Sequence, residues 1–344
     1  MSMKAALFHG VEGGLEIGTC PIPTLQAGDI LIKVAAAGLC HSDLVTLSGQ
    51  QTPKKGYPII PGHEASGTVE KVGEGVKGFK VGDKVGFLLY YHNCGKCLLC
   101  AATPIACPDG ILQGFNGDGY FAEYAVVDAR SAMLLPEGLD LVESCPLFCA
   151  GLTAFHAVDQ SELKPDQWIG IVGIGGLGHL AVQYAAKMGL RIAALDIDER
   201  KLASAKSLGA EVTFKVKDPK FIDDLRQITG GGVDVAVCLS GSNAAYDTAA
   251  SIIKPGGTLM CVGINEGRLP IYSVPLANGL IKVKGASSGF PGPMMEKAIH
   301  FSAKHNIVPH VTKYRLDDLP EMVKKAKSVK KRTPTTDKPL GTRA

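Results

Sequence analysis

The chain has 344 residues, more than one ordinary hydrophobic core supports, so two domains are expected. Hydrophobic residues make up 46% and charged residues 20%, the balance of a folded chain rather than a disordered one. A formal charge of +3 gives no reason to expect a nucleic-acid partner; no apolar run reaches the roughly 18 residues of a membrane span, and residues 1–10 lack a secretory apolar core. The expected address is the cytoplasm, where the ten cysteines read as metal ligands and small buried side chains rather than as a disulfide framework.

In chain order, the first 150 residues alternate short apolar runs with glycine and proline. Residues 29–37 (DILIKVAAA), 65–72 (ASGTVEKV), 83–87 and 121–127 read as strands of an antiparallel, barrel-like β domain. The rhythm then changes. Strands are predicted at 168–172, 191–196, 233–239 and 257–262, with helices at 177–188 and 199–208. Strands alternating with helices imply an α/β domain with a doubly wound parallel sheet, taken as residues 151–287. From 288 the pattern loosens: a Gly/Pro cluster at 289–293, a helix at 294–304 and a polar tail from 330. Residues 288–344 are expected to return to the first domain. Lys324, Lys325, Lys327, Lys330, Lys331 and Arg332 carry no interleaved aromatics and read as a solvated helix face.

Cys94, Cys97, Cys100 and Cys107 form C-x2-C-x2-C-x6-C at about 92–108, among glycine, proline and lysine. Thiolates this close in sequence converge on one tetrahedral ion with little intervening fold, and four of them make a closed, structural zinc site. An iron–sulfur cluster is the rival, without a partner motif for electron transfer. Elsewhere, Cys40-His41-Ser42-Asp43 follows an apolar strand, Gly62-His63-Glu64 follows a proline, and Cys149 lies in LFCAG just before the rhythm changes. Singly, each is weak, because a lone buried Cys or His usually only packs. Gly173-x-Gly175-Gly176-Leu177-Gly178 lies between a predicted strand and helix, where glycines admit a pyrophosphate to the backbone and to the helix N-terminus. Asp196 ends the next strand, where a carboxylate accepts ribose hydroxyls and repels a 2′-phosphate, favouring NAD over NADP.

GLCHSD, PGHEASGTVEKVG, the cysteine lobe, LFCAGLTAFHA and VGIGGLGHLAVQYAAKMG occur together and in order. Over about residues 3 to 310 this resembles the medium-chain zinc-dependent alcohol dehydrogenases, especially the shorter microbial type. The resemblance implies a Rossmann domain beside a GroES-like catalytic domain, and two zinc ions per chain with NAD. It also implies a catalytic zinc on Cys40, His63 and Cys149, with Cys145 as a competing thiol set aside because the ligand stands directly before Ala-Gly. Ser42 then matches the hydroxyl that takes the substrate proton, and Asp43 the carboxylate behind the ligand histidine. Glu64 is read either as a carboxylate that approaches the metal during ligand exchange or as a buried structural acid. His41 resembles a pyrophosphate contact and Lys201 an adenosine-ribose contact, although Lys201 reads equally as an exposed helix lysine. Val262 and the turn near Ser287 resemble segments bordering nicotinamide.

Three departures from the family stand out. Val45 replaces the histidine that ends the proton relay in many relatives. Gln51 and Leu89 align with two pocket tryptophans, leaving Trp168 as the only tryptophan, so a roomier pocket and alcohols larger than ethanol are expected. The tail lacks the usual terminal apolar strand, with Arg343 as the candidate for its pyrophosphate arginine. Expected partners are a small alcohol, aldehyde or ketone and further copies of the chain, a homotetramer being favoured by the resemblance. Alternatives are a same-fold dehydrogenase of a polyol or specialised metabolite, and a non-catalytic nucleotide-binding protein.

Overall fold

The structure is a computed structural model that describes residues 1–50, 53–264, 269, 271–289 and 291–331, without the side chains of 328–331. In the N-terminal half, β1 (Ser2–Phe8) and β2 (Leu15–Pro21) form an antiparallel ribbon. The main sheet there contains β3 (Asp29–Ala37), β4 (Ala65–Val72), β5 (Lys84–Phe87), β8 (Tyr124–Asp128) and β9 (Ala132–Leu134), in the antiparallel order β8-β3-β4-β5-β9. Between β5 and β8, the two-residue strands β6 (Tyr90–Tyr91) and β7 (Ile111–Leu112) pair and bracket the cysteine lobe. Ile30, Ile32, Val69, Val85, Phe87 and Tyr120 fill one face of the sheet. The expected strand 121–127 instead starts at Tyr124. The Phe121 N–H is taken by the Pro61 carbonyl, and its own carbonyl accepts from Ala6, so its backbone groups are spent outside the ladder.

The second half is a parallel sheet of β10 (Trp168–Val172), β11 (Arg191–Asp196), β12 (Val212–Lys215), β13 (Val233–Cys238), β14 (Ile253–Cys261) and β15 (Ile281–Gly285), in the order β12-β11-β10-β13-β14-β15. The order reverses between β10 and β13, and a crevice for a ligand forms at the carboxyl ends of strands where that happens. Continuous apolar runs suit strands covered on both faces: all five residues of β10 are buried. The covering helices are Gly178–Lys187, Glu199–Ser207, Phe221–Thr229 and Asn243–Ser251. Asp198 and Ser242 cap two of them through side-chain oxygens, and Gly230 closes another in the left-handed conformation.

The C-terminal segment divides its packing. Met295, Ala298 and Ile299 of helix Pro293–His305 enter a core shared with Leu152, Phe155 and Tyr184, and Tyr184 Oη lies 2.7 Å from Ser302 Oγ. The chain also rejoins the first half: Lys313 pairs with Glu143 and Asp317 with Lys4, and in helix Leu319–Lys331 Leu319 and Val323 pack with Met3, Phe8 and Leu44. Lys324, Lys325 and Lys327 of that helix face solvent, and Lys325 pairs with Glu321. No helix among the described residues is long and apolar enough to cross a membrane.

Candidate active site

Cys40 is the extended residue that begins helix His41–Thr46, and its N–H donates to Asp43 Oδ2 at 2.8 Å. The other carboxylate oxygen, Oδ1, lies 2.7 Å from His63 Nδ1, and Asp43 is fully buried. One carboxylate therefore ties two segments distant in sequence. Because a carboxylate only accepts, it holds the proton on Nδ1 and turns the Nε2 lone pair inward, 3.2 Å from Cys149 Sγ. His63 follows Gly62, whose φ of +96° and close approach to Phe121 leave no room for a side chain. Cys149 begins helix Ala150–Asp159, and its carbonyl accepts from both the N–H and the Oγ1 of Thr153.

The donor atoms of Cys40, His63, Glu64 and Cys149 all lie within 4.8 Å of one another. Cys145, the competing thiol, is buried in the turn before and is not in that group. Gly38 makes space for Glu64, since a Cβ there would sit 2.2 Å from Oε1, yet Glu64 Oε2 is buried without a hydrogen-bond partner. The ionisable groups of this cluster are all strongly perturbed, and not in one direction. The hydrogen bond from Cys149 holds the Cys40 thiol well below its ordinary value, while the same bond and burial push Cys149 well above it. Burial pushes Glu64 well up; burial would lower His63, but the charge and hydrogen bond of Asp43 carry it well above its usual range. Two thiols, an imidazole and an orphaned carboxylate oxygen at this spacing suit a soft divalent cation such as zinc.

In the lobe, the four sulfur atoms again lie within 4.8 Å of one another. The Cys94 N–H donates to Cys107 Sγ at 3.4 Å and the Cys100 N–H to Cys97 Sγ at 3.3 Å. Backbone N–H groups of Lys96 and Cys97 bring Cys94 down to about 6, whereas desolvation and neighbouring thiols push Cys100 up to about 12. The root of the lobe is braced: Arg130 donates to Asp128 and to the Asn93 carbonyl, and Tyr91 and His92 both reach the buried Asp29.

At the glycine turn each position has its own reason. Gly173 has φ of +93°, and a Cβ on Gly178 would meet the Gly173 carbonyl at 2.1 Å, so helix and strand touch there. Side chains at Gly175 and Gly176 would meet nothing within 4 Å, so their absence leaves open space beside the backbone. Leu177 is the residue from which helix Gly178–Lys187 starts. His179 Nδ1 donates to the Gly175 carbonyl and Nε2 accepts from the His310 N–H, both at 3.0 Å, bracing the turn from behind. Asp196 accepts from the N–H groups of Ile174, Ile197 and Asp198, and Lys201 Nζ stands 3.7 Å from Oδ2. With three of about four acceptor positions taken by backbone, about one remains for a ligand hydroxyl.

Two family models match this chain: the alcohol dehydrogenase GroES-like domain over residues 26–137 and the zinc-binding dehydrogenase over 176–304. It is 39% identical over 324 residues to an alcohol dehydrogenase of Geobacillus stearothermophilus, covering 93% of this chain and 94% of that one. It is 37% identical over 329 residues to an alcohol dehydrogenase of Moraxella sp. (strain TAE123), covering 95% and 97%. The chain belongs to the medium-chain zinc-dependent alcohol dehydrogenases. Among solved structures, this dehydrogenase resembles the alcohol dehydrogenase of the hyperthermophilic archaeon Aeropyrum pernix, with a TM-score of 0.85, 32% identity, and coverage of 95% and 97%. Zinc fits the family and these two clusters, and a nicotinamide cofactor fits the family and the glycine turn.

The other expected residues of this dehydrogenase have varied surroundings. His41 is exposed on the first turn of its helix and Ser42 is half-buried beside it. Val262 is half-buried just after β14, and its N–H donates to the Cys238 carbonyl. Leu89 is buried in the core that contains Tyr90, Leu147 and Phe148. Gln51 and the tail with Arg343 lie outside the described residues. The sequence reading missed His156, Tyr90 and the buried, unpartnered Thr46 hydroxyl. A histidine in the apolar run LTAFHAV was the available signal for the first of these.

Proposed function

We propose that this dehydrogenase reversibly oxidises a primary or secondary alcohol to an aldehyde or ketone, passing hydride to NAD, with two zinc ions per chain. The observation that carries this reading is the convergence of half-buried Cys40 and Cys149 with buried His63, and Asp43 behind the imidazole, in one group. These three residues would hold the catalytic ion, and the four lobe cysteines the structural one. Bound there, zinc supplies the Lewis acidity that stabilises an alkoxide. Asp43 keeps His63 in the tautomer whose Nε2 donates its lone pair. Ser42 takes the hydroxyl proton, and His41 lies on the same turn toward the cofactor. With Val45 in place of the relay histidine, the proton leaves through water, so turnover at low pH should rise with the concentration of small buffer bases. A rate indifferent to buffer concentration would count against that route.

Gly173, Gly175, Gly176, Leu177 and Gly178 would receive the pyrophosphate, Asp196 and Lys201 the adenosine ribose, and Val262 the nicotinamide end. The Asp196 carboxylate at the end of β11, which would repel a 2′-phosphate, supports NAD over NADP. Gln51 and Leu89 support a preference for alcohols larger than ethanol. The exposed apolar residues Tyr272, Val274, Leu276, Leu280 and Val283, beside or within the edge strand β15, support a homo-oligomer, the tetramer being favoured. NADH formation across a panel of alcohols, before and after chelation and with zinc counted per chain, tests the whole reading. Undiminished turnover after complete zinc removal would refute it.

A further inference from the structure

Helix Ala150–Asp159 starts at Cys149 and runs beside the segment that leaves β15. The two are joined around the C-terminal end of the helix. Lys284 Nζ donates to the Gln160 carbonyl at 2.8 Å and to Glu162 at 2.7 Å, and Lys297 pairs with Asp159 at 2.7 Å. Between these exposed ties sits a buried one. His156 is 2% exposed, with Nδ1 3.2 Å from the Ser287 carbonyl and Nε2 3.4 Å from the Met294 carbonyl. The ring also occupies the notch left by Gly289, where a Cβ would come within 2.2 Å of it. From the other side, Tyr90 Oη donates to the Gly289 carbonyl at 3.2 Å.

A buried imidazole facing two main-chain carbonyls does more than fill space, because an apolar residue of that size would pack without fixing either carbonyl. Ser287 and Gly289 lie just past Gly285, which is level with Cys261 of β14 at the carboxyl edge of the sheet. That edge carries the glycine turn and the ligand crevice of a doubly wound sheet. We infer that His156 is a positioning residue for cofactor binding: it fixes Ser287, Gly289 and Met294 against the helix that starts at Cys149, and so sets the nicotinamide end of the crevice relative to the metal ligands. This rests on the proposal that a nicotinamide nucleotide binds along that edge. The neutral ring donates through the nearer nitrogen, Nδ1, to Ser287, and its shape in the Gly289 notch sets the height of the segment.

The test compares the zinc-loaded wild type with His156→Leu and His156→Gln, reading NADH dissociation constant, KM for NAD, kcat and zinc per chain. Leu keeps bulk and removes the donor; Gln restores a donor. In His156→Leu the NADH dissociation constant and KM for NAD should rise about tenfold, as for the loss of one buried hydrogen bond, with a smaller change in kcat and no loss of zinc. His156→Gln should recover part of that change. Unchanged cofactor affinity in both variants, or an affinity loss in Leu that Gln does not relieve at all, overturns the inference and leaves His156 a packing residue. Loss of zinc from both variants also overturns it, since the residue would then act through Cys149. A wild type that binds neither NADH nor NADPH would instead refute the underlying cofactor assignment.

Discussion

The two cysteine clusters solve one coordination problem in opposite ways. The lobe gathers its four sulfurs from residues 94 to 107 and needs only two short strands and a bracing arginine to hold its shape. The catalytic group gathers its donors from residues 40, 63, 64 and 149, and no short stretch of chain could bring them together. Asp43, Gly62, Gly38 and the helix starting at Cys149 are all needed to aim them. A local cluster therefore adds stability to its own loop, whereas a dispersed one records that the whole fold is correct.

The largest effect should follow from emptying the dispersed cluster. His63→Ala leaves Asp43 buried without its partner and removes the nitrogen donor; turnover should fall to the assay floor, with one zinc ion lost per chain and the lobe's ion retained. Turnover near the wild-type level in a purified, zinc-depleted variant would break the distinction between the clusters. The mirror experiment is Cys97→Ser. Structural zinc binding is worth on the order of 10 kcal/mol in small peptides, so thermal stability should drop and the lobe's ion be lost, while protein kept cold retains most of its kcat. If kcat collapsed at low temperature with Tm unchanged, the lobe would belong to the chemistry.

A smaller change probes the aiming rather than the donors. Asp43→Asn can place an amide N–H₂ group toward Nδ1, favouring the tautomer in which Nε2 carries the proton. Losses of about 10- to 100-fold in zinc affinity or kcat/KM are expected for such a partner. Competition with a chromogenic chelator reads the affinity directly, and a wild-type value would show that His63 needs no orienting carboxylate.

How much of this was legible in the sequence follows the same contrast. Residues 94–107 could be read directly, because spacing alone specifies a closed thiolate site. Cys40, His63 and Cys149 needed the family resemblance, since the closure that unites them is made by Asp43, Gly62 and the sheet. The strands Asp29–Ala37, Ala65–Val72, Trp168–Val172 and Arg191–Asp196 were visible as apolar runs between turn residues. Val212–Lys215 is four residues long with one buried side chain, and Ile281–Gly285 alternates with lysines at an edge, so neither carries a strong burial signal. Helix Phe221–Thr229 did have one: Phe221 and Leu225 are buried four apart and Gly230 closes the helix. The role of His156, unlike the residue itself, was invisible for a different reason. Its role depends on carbonyls at 287 and 294 and on a notch at Gly289, none of which side-chain type or spacing encodes.

The smallest effect expected concerns the brace beneath the lobe. Burial would raise the Asp128 carboxyl, but hydrogen bonds and charge from Arg130, with the His92 N–H, hold it below the ordinary carboxylate value. A carboxylate with a depressed folded-state pKa contributes stability above its unfolded value, about 3.9, and loses that contribution as pH falls through the folded value. Asp128→Asn should therefore lower Tm by a few degrees at pH 7, with the gap from wild type steady down to about pH 5 and narrowing below about pH 4. Because Arg130 also holds the carbonyl of Asn93, next to Cys94, the same variant should release the lobe's zinc to a chelator faster than wild type, with the catalytic ion released at the wild-type rate. Equal release rates for the lobe would confine the Asp128–Arg130 pair to the sheet, and a Tm gap that widened on acidification would reverse the sign assigned to the carboxylate.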